Sequence, residues 1–316
     1  MSVKLKNIAF FISSLGVGGA ERQLVLNAVA AQKSGIKTSV IIWYGEAVFD
    51  NELLEAGVDV YYVRKKLGLI HLPSALFRLV KIIRIIRPQA VYSFMDMNNV
   101  LLALVSPFIS PKIIWGIRAS NIDREQYGFS SVLLEKIELF LSPLADLIIC
   151  NSDAGKKLCI ERGFSPKKTI VIENGIDVDR FKYSAKGAMK IREEFKIADN
   201  EKIILLPARL DIMKDHKNFF NAAKILLESY DRSLKFICVG GGDQNYKNEL
   251  LKYAENLGIL ENVIFTNARN DIIDFYSSSS SSSSFGEGFS NAIAESMSCG
   301  TICAVTDVGD SAKIVG

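Results

Sequence analysis

The stretch Glu201–Gly242, EKIILLPARLDIMKDHKNFFNAAKILLESYDRSLKFICVGGG, decides the fold. Lys202–Pro207 is an apolar run of strand length. Asn218–Tyr230 repeats apolar residues at helical spacing, and Leu234–Gly240 is a second apolar run that closes on the glycines Gly240–Gly242. A helical crossover between two short apolar strands is the signature of a parallel βαβ unit. Arg209 and Lys214 fall in the first strand-to-helix crossover. A planar guanidinium fork beside a mobile ammonium suits the paired phosphates of a diphosphate. The plain alternative is two cations on a solvated loop.

The same alternation runs outward in both directions. Toward the N-terminus, strands are predicted at Asn7–Ile12, Thr38–Trp43, Val58–Val63, Ala90–Ser93, Lys112–Gly116, Asp146–Cys150 and Thr169–Ile172. Helical patterns separate most of them, at Glu21–Ser34, Asn51–Ala56, Ser74–Arg87, Asn98–Ser106 and Val132–Leu144. The turn-rich NGIDVDRF, Asn174–Phe181, and a polar stretch to about Glu201 interrupt the series. Beyond Gly242 follow the helix Tyr246–Asn256, the strand Val263–Thr266, the helix Asn291–Ser298 and the strand Thr301–Thr306. The chain therefore reads as α/β, with two Rossmann-like doubly wound domains at residues 1–180 and 181–316. The second stops soon after a strand and part of a helix, so it is expected to be incomplete at its C-terminus. Ligands of such sheets lie beyond the carboxyl ends of the strands, and the cleft between two such domains is the expected active site. Eight consecutive serines, Ser277–Ser284, stand where a buried strand is due. Serine has low strand propensity and buries little apolar area, which predicts a flexible, poorly specified segment there.

Composition agrees with two folded domains. The 316 residues exceed the roughly 250–300 at which a single core stops growing, and 49% are hydrophobic against 23% charged, which excludes a disordered or fibrous chain. A net charge of +3 is too small for a nucleic-acid binder. Five scattered cysteines argue against a disulfide framework and for a reducing compartment, and two histidines are too few for a His-rich metal site. The N-terminal apolar run Ile8–Ile12 is shorter than a signal-peptide core and far short of a membrane span. A cytoplasmic location is expected.

Two further segments carry chemistry. In Glu287-Gly288-Phe289-Ser290-Asn291-Ala292-Ile293-Ala294-Glu295 a helix is predicted to start at Ser290 or Asn291. Glu287 then lies in the preceding loop, and Glu295 sits about 7 Å along the helix axis from Ser290. Two carboxylates so placed can accept hydrogen bonds from separate hydroxyl clusters, while first-turn N–H groups can meet phosphate. Ordinary acidic residues at a solvated helix start are the alternative. Gly16-Val-Gly18-Gly19-Ala-Glu21-Arg22, after the first strand, is a glycine-rich turn into a helix. Glu21 occupies the place of the third glycine in a G-x-G-x-x-G pattern, and no acid closes the next strand, so a dinucleotide site is not supported.

Together these segments resemble the group 1 (family 4) retaining glycosyltransferases of GT-B architecture. The likeness runs in order through Gly18-Gly19-Ala20-Glu21-Arg22, Arg118-Ala-Ser-Asn121, Asn151-Ser152 and Val171 through Phe181. It continues through Arg209-Leu210 with Lys214, Val239-Gly240-Gly241-Gly242, Asn262–Phe265, Arg269-Asn-Asp271, Gly286–Asn291, Glu295–Gly300 and Thr306–Gly309. The resemblance implies transfer of a hexose or N-acetylhexosamine from a nucleotide-diphosphate sugar, most often a UDP-sugar, to a lipid-linked glycan, with retention, in surface polysaccharide synthesis. It implies catalytic roles for Arg209, Lys214 and Glu287. Arg209 and Lys214 would clamp the diphosphate, and Glu287 with the Gly288, Phe289, Ser290 and Asn291 backbone would hold the donor sugar. Glu295 would hold the ribose, the main chain from Thr266 to Arg269 the base, and Gly18 and Gly19 would approach the donor from the first domain. No metal or other cofactor is implied, since a cation pair can do the work of a metal.

The chain departs from that pattern at several points. Ala208 stands for a common glycine, Ser290 for a common proline, and Arg118-Ala-Ser where some relatives carry a histidine. The serine tract and the short C-terminus favour a second reading, a non-catalytic sugar-nucleotide or glycan binding protein; the retained Arg209, Lys214, Glu287 and Glu295 oppose it. A phosphorylase or epimerase of nucleotide sugars is a third. Ser74–Arg87, SALFRLVKIIRIIR, is a basic amphipathic pattern that either packs on its sheet with solvated cations or lies on an anionic membrane.

Overall fold

The computed structural model describes residues 4–16, 18–45, 50–63, 69–118, 128–229, 233–282 and 288–316. The chain forms two compact units, one through Gly175 and one from Ile176 to Gly316.

The first unit runs β1 (Asn7–Ile12), α1 (Gly19–Lys33), β2 (Lys37–Ile42), α2 (Asp50–Glu55), β3 (Asp59–Tyr62) and α3 (Leu72–Ile86). It goes on through β4 (Ala90–Phe94), α4 (Asp96–Val105), β5 (Lys112–Ile117), α5 (Phe129–Leu141), β6 (Leu147–Cys150), α6 (Asp153–Glu161) and β7 (Thr169–Val171). Its strands make one parallel sheet in the order β3-β2-β1-β4-β5-β6-β7. The order reverses between β1 and β4, the place where doubly wound sheets open a crevice. Alternation along β1 divides the interior. Ala9 and Phe11 join the core under α3 and α4, while Ile8, Phe10 and Ile12 join Leu24, Val25 and Leu53 of α1 and α2. Trp115, Phe11 and Phe94 are fully buried, and burial of each such side chain contributes about 1.5–3 kcal/mol. Arg87, in a left-handed conformation at φ 49°, ends α3 just before Pro88.

The second unit runs α7 (Ala185–Glu194), β8 (Lys202–Pro207), α8 (His216–Ser229), β9 (Leu234–Val239), α9 (Gln244–Asn256), β10 (Val263–Thr266), α10 (Ile272–Ser278), β11 (Ser280–Ser282), α11 (Asn291–Ser298), β12 (Cys303–Ala304) and α12 (Ser311–Val315). All its strands are parallel, in the order β10-β9-β8-β11-β12, so the reversal falls between β8 and β11. Leu206, Phe220, Phe236 and Leu250 fill one side of the sheet, and Ile203, Leu205, Phe275 and Ile191 the other.

One expectation is corrected here. Ser280–Ser282 is a strand, with Ser280 and Ser281 aligned to Ile204 and Leu205 and with Ser281 and Ser282 aligned to Cys303 and Ala304. Main-chain pairing on both sides supplies what the side chains lack, because the ladder bonds only N–H and C=O groups. Ser277 and Ser278 close α10, their hydroxyls bonded back to the carbonyls of Ile273 and Phe275 at 2.8 Å each. Ser283 and Ser284 lie outside the described residues.

Candidate active site

Arg209 and Lys214 occupy the crossover from β8 to α8. Arg209 is two residues past the strand and its side chain is 64% exposed. The segment that carries it lies against the glycine triplet. Ala208 N–H donates to the Val239 carbonyl at 3.0 Å and Leu210 N–H to the Gly241 carbonyl at 2.9 Å. A Cβ at Gly240 would run into the Ala208 carbonyl, and one at Gly242 into that of Leu210. The glycines therefore let two backbones touch and fix where Arg209 leaves the sheet.

Asp211, which sequence reasoning passed over, organises the turn. Its carboxylate accepts the Met213 N–H at 3.1 Å as a cap, and Arg209 Nη2 lies 3.7 Å from Asp211 Oδ2. An Asp before a short helical turn is the cap signal that could have found it. Asp215 then takes a left-handed conformation at φ 46° and leads into α8. Lys214 is half-buried. Loss of water and the charge of Arg209 push its pKa down to about 8, against a smaller upward pull from Asp211. Beneath the turn, His216 is fully buried with neither ring nitrogen hydrogen-bonded. Burial and the Lys214 charge lower its pKa to about 4, so the imidazole is neutral and adds no competing cation.

Across the reversal point, α11 follows β11. Ser290 takes the N-cap conformation at φ −83°, ψ 102°, but its hydroxyl makes no capping bond, and Asn291 is the first helical residue. Gly288 and Ser290 are buried and Phe289 is half-buried; the Gly288 carbonyl accepts the Asp310 N–H at 3.1 Å. Glu295 is 9% exposed, and Tyr276 donates its phenol proton to Glu295 Oε2 at 3.1 Å. Burial and that carboxylate raise the Tyr276 pKa well above normal, so the phenol stays a donor. Tyr276 is the second residue sequence reading missed, since nothing local ties it to Glu295. Glu287 lies outside the described residues.

The structure thus places Arg209 and Lys214 on one turn, and Gly288 through Glu295 after the strand next to β8, all at the carboxyl edge of one sheet. Arg269 is a different case. Its guanidinium forks onto Glu194 at 2.7 and 2.8 Å and onto Asp271 at 2.9 Å twice. These bonds raise its pKa and hold Asp271 well below the usual carboxylate range. Its side chain is spent on tying β10 and α10 to α7. In the first unit, Gly18 caps α1 in an extended conformation, its carbonyl accepting the Arg22 N–H at 3.0 Å, and Gly19 is the first helical residue. The Glu21 carboxylate folds into the space where a Gly18 side chain would stand.

Two doubly wound units in one chain are the architecture of the GT-B class of glycosyltransferases. Residues 17–180 match the family model "Glycosyltransferase Family 4" and residues 188–316 match "Glycosyl transferases group 1". The chain belongs to the group 1, family 4 glycosyltransferases. It is 26% identical to an N-acetylgalactosamine-N,N'-diacetylbacillosaminyl-diphospho-undecaprenol 4-alpha-N-acetylgalactosaminyltransferase of Campylobacter jejuni, over 98% of this chain and 83% of that protein. It is 22% identical to a UDP-Gal:alpha-D-GlcNAc-diphosphoundecaprenol alpha-1,3-galactosyltransferase of Escherichia coli, over 84% of this chain and 70% of that protein. Its fold matches that of Anabaena HepE, solved with UDP-glucose, with a TM-score of 0.84 at 22% identity over 98% of this chain and 83% of that one.

Proposed function

We propose that this glycosyltransferase moves a hexose or N-acetylhexosamine from a UDP-sugar to a polyprenyl-diphosphate-linked glycan, with retention of configuration, in surface polysaccharide synthesis. The observation that carries the reading is the Arg209–Lys214 turn, which brings two cations together at the carboxyl edge of the second sheet, beside its reversal point. The relatives' lipid-diphosphate acceptors and the UDP-glucose bound to HepE support the choice of partners. The bond from the sugar's anomeric carbon to the diphosphate breaks as a bond from the acceptor hydroxyl forms on the same face. The hydroxyl proton passes to a phosphate oxygen of the departing UDP. Arg209 and Lys214 neutralise the charge that grows on that leaving group, the work a metal ion does in other transferases. Glu295, steadied by Tyr276, accepts ribose hydroxyls; the α11 N-terminus and Gly288 receive the sugar.

The test is thermal. UDP at 100 times its Kd adds about 2.7 kcal/mol to the unit that binds it, so the melting temperature of the intact chain rises by several degrees. No shift with UDP, ADP or GDP would favour a degenerate binding protein. Activity that survives EDTA supports the metal-free reading, and activity abolished by EDTA and restored by a divalent cation removes it.

No helix among the described residues is long and apolar enough to cross a membrane. We propose that α3 of the first unit meets an anionic membrane surface. Helix α3 contains Arg78, Lys81 and Arg84, is followed by Arg87, and includes no acid. Phe77 is 72% exposed beside Lys81 and Ile85. Arg84 is held on the Phe108 carbonyl at 2.9 and 3.1 Å and Arg78 has a buried Nε, so Lys81, Phe77 and Ile85 are the groups that meet lipid headgroups. Replacing Lys81 with Glu and Phe77 with Ser is expected to lower co-sedimentation with phosphatidylglycerol vesicles; an unchanged bound fraction refutes this face.

A further inference from the structure

The carboxyl edge of the first sheet holds a second arginine that the donor site does not use. Arg118 follows β5 directly, one strand from the reversal between β1 and β4. Its guanidinium lies over the Phe94 ring, 4.0 Å from the centroid, and 5.6 Å from that of Tyr92. Nη2 donates to the Tyr92 hydroxyl at 2.7 Å and Nη1 to Asn174 Oδ1 at 2.9 Å. Nε is sealed from solvent with no partner, close above Gly116, where a Cβ would come within 3.3 Å of it and 2.9 Å of the Ser93 carbonyl. The surroundings are hydrogen-bonded. Asn151 Nδ2 donates to the Arg118 carbonyl at 3.3 Å, and the Gln23 amide, oriented with its nitrogen toward the Gly175 carbonyl, spans that glycine's C=O and N–H at 3.1 and 3.2 Å.

Each of these partners is a neutral dipole. Among the described residues no carboxylate pairs with Arg118, whereas Arg269 and Arg162 each sit on at least one. A guanidinium drawn out of water onto aromatic rings without a counter-ion is unfavourable unless an anion completes the site. Two donors already converge there. The guanidinium has Nη protons beyond the two it spends, and Tyr92 accepts from Arg118 through its oxygen while its own proton meets no acceptor among the described residues. Burial raises the Tyr92 pKa, so that proton stays in place. Arg on an aromatic platform, with a phenol beside it, is the geometry that binds phosphate oxygens.

We infer that Arg118, backed by Tyr92, forms an oxyanion site in the first unit that receives a phosphate of the lipid-linked acceptor. The acceptor's identity rests on the proposed function; the oxyanion site does not. The same chemistry could come from the donor's phosphates, and the test separates the two sources.

Inorganic pyrophosphate is titrated into the intact chain carrying Arg209→Gln and Lys214→Gln, which removes the donor turn, and followed by calorimetry. This variant is expected to keep a pyrophosphate site that Arg118→Gln weakens about tenfold or more and Tyr92→Phe by about threefold. Arg118→Lys, which keeps the charge without the fork, falls between. If Arg118→Gln does not fold, the lysine and phenylalanine variants decide. Pyrophosphate affinity unchanged in both, with normal melting, overturns the site and leaves Arg118 a structural plug. In the otherwise native chain, Arg118→Gln is expected to shrink the preference for a diphosphate-linked acceptor over a neutral alkyl glycoside of the same glycan about tenfold in kcat/KM. A rise in UDP Kd instead, with acceptor preference intact, assigns the phosphate to the donor and overturns the acceptor assignment. If the native chain glycosylates neither acceptor, the proposed function fails while the pyrophosphate result stands.

Discussion

Two arginines at the carboxyl edge of the second sheet show how a cation with open donors differs from one whose donors are filled. Arg209 and Arg269 follow β8 and β10, and both resemble donor contacts in sequence. Among the described residues Arg209 has one loose ionic neighbour, at 3.7 Å, and a largely solvated side chain. Arg269 makes four hydrogen bonds of 2.7–2.9 Å to two carboxylates and also lies 5.3 Å from the Phe275 ring. A cation whose donors are already filled by carboxylates has little left for a phosphate; one held near a single distant acid can exchange it at small cost. Position along a strand therefore nominates a residue, and the state of its hydrogen-bond donors decides its task.

The largest effect expected from this contrast is on chemistry. Arg209→Ala should lower kcat/KM for the UDP-sugar by about 100- to 1,000-fold, the range seen when one group that stabilises transition-state charge is lost, with the melting temperature unchanged. A melting point that falls with activity would make Arg209 another Arg269. Next comes the reverse case. Arg269→Ala should cost about 1–3 kcal/mol of second-unit stability, measured by urea unfolding, because the half-buried Asp271 and the more exposed Glu194 both lose their fork. Unchanged stability with lost UDP binding would exchange the roles of the two residues.

The smallest expected effect is on pH dependence, and it sharpens the comparison through Lys214. Its pKa in the unliganded fold is about 8, against 10.5 for a free lysine, so the fold disfavours its charge. That penalty is fully present below about 8 and is relieved as pH rises from there toward 10.5. The unliganded second unit should then gain stability over that window, while UDP affinity, which needs the ammonium, falls up to tenfold per unit. Melting curves with and without UDP at several pH values read both signs, and Lys214→Arg, charged throughout, should flatten both. Parallel trends in the two curves would detach Lys214 from the phosphates.

Much of the fold could be read before the coordinates, and the omissions have physical causes. Long apolar strands announced themselves because parallel sheets are covered on both faces. Three helices did not. Helix α7 buries only Gly187 and Ile191, and α6 only Gly155 and Cys159, so neither shows an apolar stripe. Helix α10 is seven residues long and ends inside the serine tract. The placement of Arg209, Lys214 and Glu295 beyond the carboxyl ends of their strands was legible, because each lies in a strand-to-helix crossover or in the helix that follows it. The commitment of Arg269 was not, because Glu194 lies 75 positions away in sequence. Tyr276 joins Glu295 across 19 positions, and the filled donors of Arg118 depend on Asn174, 56 positions on; only folding brings such pairs together.

Strand β11 has one further consequence. Sliding a run of identical residues past its neighbours changes no side chain, so the tract itself holds no information about alignment. Alignment must be imposed from outside, by Phe275 and Tyr276 anchored in the core on one flank and by Gly288 and Ser290 buried on the other. A serine gained or lost within the run would leave β11 reading the same and would change only the number of residues between β11 and α11.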